Sequence, residues 1–152
     1  MDIHVEGPRL NNAPICEPIL RALPQWFGIE SATQEYIRST DTLPTLIASV
    51  DGQAAGFLSI KQHNPYSAEI YVMAVLPQYH RQGIGRALVD AAERHLREQN
   101  VEYLQVKTLG TAHPDPGYAK TRQFYLAVGF RPLEELEDLW GPNPCLLMVK
   151  RL

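Results

Sequence analysis

The sequence predicts an α+β domain: a mixed, mostly antiparallel, twisted sheet of about seven strands flanked by about four helices. Three observations carry this. Hydrophobic periodicity switches between the strand and helix periods in the order β-α-α-β-β-β-α-β-α-β-β. Turn residues such as Asp51-Gly52 separate short apolar runs, as antiparallel hairpins require. One strongly amphipathic helix stands between two strand-like runs, a crossover that implies one parallel pairing. No repeat or linker divides the 152 residues, so a single domain is expected over 1–152.

Each element has its own signal. A short strand is expected near Ile3–Arg9. Ile15, Ile19, Leu20 and Leu23 recur at helical spacing, and Pro24 stops that helix. Residues 25–30 (QWFGIE) form an aromatic loop, after which Ser31 caps a second helix over Ala32–Ser39. Strands follow at Thr45–Val50, Ala55–Lys61 and Glu69–Leu76, the last closed by Pro77. The best helix spans Ile84–Gln99, with Ile84, Leu88, Ala91, Ala92, His95 and Leu96 on one face and Glu93 poised to pair with Arg97. Asn100 is its left-handed stop. Val101–Leu109 reads as a strand, Thr111–Gly117 as a proline-fixed loop and Tyr118–Val128 as a helix ended by Gly129. Strands over Arg131–Glu137 and Leu146–Arg151, joined through Trp140-Gly141-Pro142, close the chain.

Composition excludes several function classes. Net charge is −3 and no basic stretch is interleaved with aromatics, which argues against nucleic acid as a partner. No apolar run approaches the ~20 residues that span a bilayer, and the N-terminus lacks a basic-then-apolar leader pattern. A cytoplasmic protein without membrane partners is therefore expected. Two cysteines, Cys16 and Cys145, read as buried thiols, and five histidines show no metal-ligand spacing.

The chemistry sits in His80–Ala87 (HRQGIGRA). Glycines at 83 and 85 open the main helix, where first-turn N–H groups lack partners and face the positive end of the helix dipole. Arg81, Gln82, Gly83, Ile84, Gly85 and Arg86 thus form an anion site suited to a pyrophosphate. The third glycine of a dinucleotide fingerprint and the Gly-Lys-Ser/Thr of a P-loop are both absent. With VMAVLPQY before it and RALV after it, the turn resembles the Arg/Gln-x-x-Gly-x-Gly/Ala motif of the GNAT (Gcn5-related N-acetyltransferase) superfamily. His80 stands where the family has Arg or Gln. Phe124-Tyr125 before Gly129-Phe130 is similar to the family's second signature, although Tyr118 and Thr121 replace its frequent Asn and Ala.

The resemblance implies a GNAT-like fold and acetyl-CoA as cofactor. It also implies N-acetylation of a primary amine by direct attack in a ternary complex. On it, Met73 and Val75 bind the pantetheine arm through their backbone, and the Ala74 N–H region faces the thioester carbonyl. Tyr125 is the expected general acid, and Glu69, six residues before Val75, the candidate general base. Strand alternation places Glu69, Tyr71 and Met73 on one face. Trp26, Phe27, Glu30, Tyr71, Tyr118 and Trp140 are candidates for the wall of an acceptor pocket that takes a small-molecule amine. The final strands offer pairing across a homodimer. Two other classes stay open: a non-catalytic acetyl-CoA-sensing domain, and an O-acyltransferase or thioesterase on the same cofactor site.

Overall fold

The computed structural model describes residues 1–111 and 115–152. Strands β1 (Ile3–Arg9), β2 (Thr45–Val50), β3 (Gln53–Asn64), β4 (Ser67–Val75), β5 (Tyr103–Leu109), β6 (Arg131–Trp140) and β7 (Asn143–Arg151) form one seven-stranded sheet in the order β1-β2-β3-β4-β5-β7-β6. Every pairing is antiparallel except β4 with β5. That parallel pair is joined by α3 (Ile84–Glu98), the expected crossover. Helices α1 (Ala13–Arg21) and α2 (Glu30–Thr42) lie between β1 and β2 in the chain, and α4 (Pro116–Ala127) lies between β5 and β6.

Two cores sandwich the sheet. On one face Leu88, Val89, Ala92 and Leu96 of α3 meet Leu46, Ala48, Leu58 and Ile60, and Tyr125, Phe130 and Met148 extend this core under α4. On the other, Cys16, Ile19, Leu20 and Leu23 of the first helical segment meet Ile47, Phe57, Val72 and Ala74. Strand alternation feeds both: neighbours such as Leu46 and Ile47 point to opposite faces.

Local signals act where expected. Asp51 and Gly52 both take positive φ (50° and 85°), as a two-residue hairpin needs. Asn100 is left-handed at φ 64°. Gly129, at φ 105°, ends α4 in a Schellman turn, with Phe130 N–H donating to Tyr125 O at 2.9 Å. Glu93 is buried and pairs with Arg97 at 3.0 Å, and Lys150 joins it at 2.8 Å.

Helix starts differ from expectation. Helix α2 begins at Glu30 after Ile29, so Ser31 lies inside the first turn rather than capping it. Helix α4 starts at Pro116, because the Asp115 carboxylate accepts from Gly117 N–H at 2.7 Å. The rest of the expected 111–117 loop, residues 112–114, lies outside the described residues. Both final strands are longer than expected and leave only Gly141-Pro142 as the turn between them.

Candidate active site

A gap in the middle of the sheet defines the site. Strand β4 pairs with β5 only from Ser67↔Tyr103 to Ile70↔Val106. Beyond that, β4 runs on to Val75 and β5 to Leu109 without mutual pairing. The divergence starts at a bulge. Ser59 faces Val72 and Ile60 faces Ile70, so Tyr71 has no partner on β3. The extra residue reverses the side-chain alternation. Ala68 and Ile70 share the α3-side core with Met73 and Val75, whereas Tyr71, Val72 and Ala74 belong to the α1-side core. The expected grouping of Glu69, Tyr71 and Met73 on one face is therefore corrected: Met73 points the other way.

The hydrogen-bond phase decides which backbone groups face the gap. Leu76 N–H donates to Ala55 O at 2.8 Å, and Gly56 is opposite Val75. Antiparallel pairs alternate, so Ala74 directs its polar groups to Phe57 on β3, and Met73 and Val75 direct theirs into the gap. This fits a backbone role for Met73 and Val75. The amide able to face a thioester carbonyl is that of Met73 and not that of Ala74, whose N–H is turned toward β3. Gly56 permits the close β3–β4 approach here, since a Cβ on it would lie 2.9 Å from Ala74 O.

The glycine turn borders the same gap. A 3-10 turn over Pro77–Tyr79 leads to Arg81 at φ 63° and Gly83 at φ 87°. Gly83 is the N-cap of α3 and no side chain caps the helix. The first intrahelical bond is Ala87 N–H to Gly83 O at 3.0 Å, so the N–H groups of Ile84, Gly85 and Arg86 have no helical acceptor. Arg81 and Arg86 are exposed beside them. Ile84 is buried and offers only its main chain, and Gln82 donates to Gln78 O at 2.9 Å, which braces the turn. The two glycines differ in purpose. A Cβ on Gly83 would meet little but Ile3 Cδ1 at 3.9 Å, leaving open space, whereas one on Gly85 would sit 3.0 Å from the Phe124 ring. Gly83 sets the turn, and Gly85 lets α3 touch α4. An uncapped helix start with open space before it, beside unpaired strand edges, fits the pyrophosphate and the amide-bearing arm of a CoA ester.

Tyr125 stands on α4, packed against Phe124 and Phe130 with ring centroids 5.4 and 5.6 Å away. It is 6% exposed, and burial raises its phenol pKa well above the usual range. No bond to its hydroxyl occurs among the described residues, yet no fully buried side-chain oxygen lacks a partner. The hydroxyl oxygen is therefore not completely enclosed, while the ring stays in the core.

Glu69 is held by groups that the sequence reasoning missed. Its side chain is 8% exposed, and Lys107 Nζ lies 3.1 Å from each carboxylate oxygen. His63 Nε2 is 2.7 Å from Oε1. The ionised carboxylate only accepts, so Nε2 carries the proton. Lys107 was findable: in β5 it alternates with the buried Leu104, Val106 and Thr108, and Gln105 is the register partner of Glu69.

The aromatic candidates separate into groups. Trp26 is central, with its ring edge-on to His80 at 5.9 Å, its carbonyl accepting from Tyr118 Oη at 3.1 Å, and its indole against Gly117. The loop between α1 and α2 thus reaches the start of α4. Phe27, Tyr36 and Tyr71 form an edge-to-face series with spacings of 5.7 and 5.8 Å. Glu30 is taken up elsewhere: Arg21 binds both its oxygens at 2.9 and 3.1 Å, and its pKa falls to about 2. Both its oxygens are thus already engaged, one of them also by Gln34. Trp140 ends β6 opposite Asn143, with β7 between its strand and β5. His80, the atypical residue of the motif, has Nε2 2.7 Å from Val75 O.

Among the described residues no group of His, Cys, Asp and Glu is placed to hold a metal, and no helix is long and apolar enough to cross a membrane. Cys16 and Cys145 are buried and unbonded to each other.

Known proteins resemble this chain in sequence and in fold. An N-acetyltransferase of unassigned role from Chlorobaculum tepidum is 32% identical over 89 residues, 59% of this chain and 50% of that protein. The chain thus spans about half the length of that curated relative. A GNAT-family acetyltransferase structure from Desulfovibrio desulfuricans superposes with a TM-score of 0.86 at 17% identity, covering 99% of both chains. One from Elizabethkingia anophelis with acetyl-CoA bound superposes with a TM-score of 0.76 at 16% identity, covering 99% of this chain and 98% of that one. These two likenesses speak for the fold. The family model for the acetyltransferase (GNAT) family matches residues 15–130, a span that holds the bulged strand, the glycine turn and Tyr125, and the chain belongs to that family.

Proposed function

We propose that the chain is an acetyl-CoA-dependent N-acetyltransferase that acetylates a small primary amine by direct attack in a ternary complex. Three features support this reading, two of them tied together by the His80–Val75 contact and the third lying on the helix that α3 touches at Gly85. These are the unpaired backbone of Met73 and Val75, the uncapped start of α3, and the hydroxyl of the buried Tyr125, which has no protein partner among the described residues. Acetyl-CoA supplies the thioester carbonyl and the thiol leaving group. The N–H groups of Ile84, Gly85 and Arg86, with the Arg81 and Arg86 side chains nearby, hold the phosphates. The Met73 amide polarises the carbonyl from a fixed strand position, with no reorganisation to make at the moment of reaction. Tyr125, kept protonated by burial, donates a proton to the leaving sulfur.

Glu69 accepts the amine's proton through water, and the His63 bond continues from it toward the surface. A small acceptor is favoured because the Trp26–Tyr118 contact bridges the α1–α2 loop to α4 beside the gap, which narrows the approach for a folded partner. Calorimetry with acetyl-CoA, followed by a CoA-thiol release assay over a panel of amines, tests the reading. Tight binding with amine-dependent thiol release is expected. Thiol release without amine makes the protein a hydrolase, and binding without release under any amine makes it a sensor.

A further inference from the structure

The motif residue that departs from the family pattern does something the rest of the site does not require. The Val75 carbonyl points into the gap, where β5 no longer pairs, so it has no strand donor. His80 supplies one from its own side chain at 2.7 Å. A carbonyl only accepts, so the imidazole donates through Nε2–H, as a stand-in for the secondary-amide N–H of an extended ligand arm. The same ring is edge-on to Trp26, with centroids 5.9 Å apart and planes at 83°. Trp26 in turn has little slack. Tyr118 Oη bonds its carbonyl at 3.1 Å, and a single added carbon on Gly117 would lie 3.2 Å from its indole.

We propose that His80 is a latch that couples cofactor entry to the acceptor wall. In the free protein its imidazole occupies the Val75 carbonyl and supports Trp26. When a CoA arm bonds that carbonyl, the imidazole is displaced and Trp26, still tied to Tyr118 through its carbonyl, loses the edge-on partner of its indole, which then adjusts to the acceptor. No covalent step is involved. The inference rests on the gap being a CoA site.

The chain has two tryptophans, so Trp140→Phe leaves Trp26 as the only indole reporter. In that background CoA is expected to shift the Trp26 emission, whereas the 3′-phosphorylated ADP portion alone, which lacks the arm, leaves it unchanged. Adding His80→Ala is expected to abolish the shift. It is also expected to tighten CoA binding by about three- to tenfold, the worth of one neutral hydrogen bond no longer competing. His80 is exposed, so this variant keeps the fold, which matched thermal melts verify. An emission shift of the same size in His80→Ala, a shift caused by the nucleotide portion alone, or CoA binding that is unchanged or weaker in His80→Ala would each overturn the latch and leave the CoA site standing. Failure of the wild type to bind CoA at all removes the site, and the latch with it.

Discussion

Lys107 Nζ sits 3.1 Å from both carboxylate oxygens of Glu69, across the last paired stretch of β4 and β5. The pair lies at the point where the two strands begin to part, so it clamps the closed end of the gap. Lys107→Met leaves a buried carboxylate with only His63 beside it. Urea unfolding is expected to show a loss of about 3 kcal/mol. Glu69→Gln together with Lys107→Met should recover part of that loss, because no uncompensated charge remains. Glu69→Gln alone is expected to lower turnover and flatten the acidic limb of the pH–rate profile. A profile that keeps the wild-type shape would remove Glu69 from proton transfer and leave it as half of the clamp.

Tyr125→Phe separates chemistry from structure. The hydroxyl has no protein partner among the described residues, and Phe retains the ring contacts with Phe124 and Phe130. Stability at neutral pH should change by less than about 0.5 kcal/mol. Acetyl-CoA affinity should hold while turnover falls by about a hundredfold or more. Rapid-quench measurement of the chemical step is the check, and unchanged chemistry would discard Tyr125 as the proton donor.

Gly83 and Gly85 should fail in different ways. Gly83→Ala places a side chain at φ 87°, expected to cost about 1–2 kcal/mol and to weaken CoA binding by distorting the anion site. Gly85→Ala instead drives a carbon into the Phe124 ring. Phe124→Leu should therefore rescue Gly85→Ala and not Gly83→Ala. Equal rescue of both, measured by thermal melts and CoA calorimetry, would contradict the assignment.

Alkaline stability should report Cys16. Burial pushes its thiol up to about 12 from an ordinary 9.0. A thiol raised in the folded state contributes fully below the unfolded pKa, and that contribution is lost as pH climbs from about 9 toward 12. Cys16→Ala should be less stable near pH 7 because of the cavity, and should lose less stability than wild type between pH 9 and 11. Parallel stability-versus-pH curves would refute this.

Much of the fold was legible because its signals are local. Asp51-Gly52, Asn100 and Gly129 each demand a backbone conformation that few residues adopt, and each sits where its turn was expected. The apolar stripe from Ile84 to Leu96 identified α3 and its buried face. The site was legible where backbone carries it, as at Gly83–Arg86. What escaped was long-range. The bulge at Tyr71 leaves no mark on periodicity, because β4 is apolar on both faces. Its one-residue slip moved Met73 to the other face, and the pairing beyond it turns the Ala74 amide toward β3. The alternation of β5 marks Lys107 as lying on the Glu69 side, but not its partner, which lies 38 positions away and is brought close only by the crossover. Glu30 looked available in a loop because its clamp, Arg21, belongs to the preceding helix.

The parting of β4 from β5 also has a mechanical meaning. Across its middle the sheet is stitched by the register from Ser67↔Tyr103 to Ile70↔Val106 and by little else in the plane of the strands. On one side of that seam stand β1 to β4, and on the other β5, β7 and β6. A ligand arm lying in the gap would act as an extra rung, lending its amides to both banks. The seam should then be the part of the molecule that breathes most readily when empty and stiffens most when filled. Amide exchange at Met73, Val75 and Leu109 would register that difference before any product is formed.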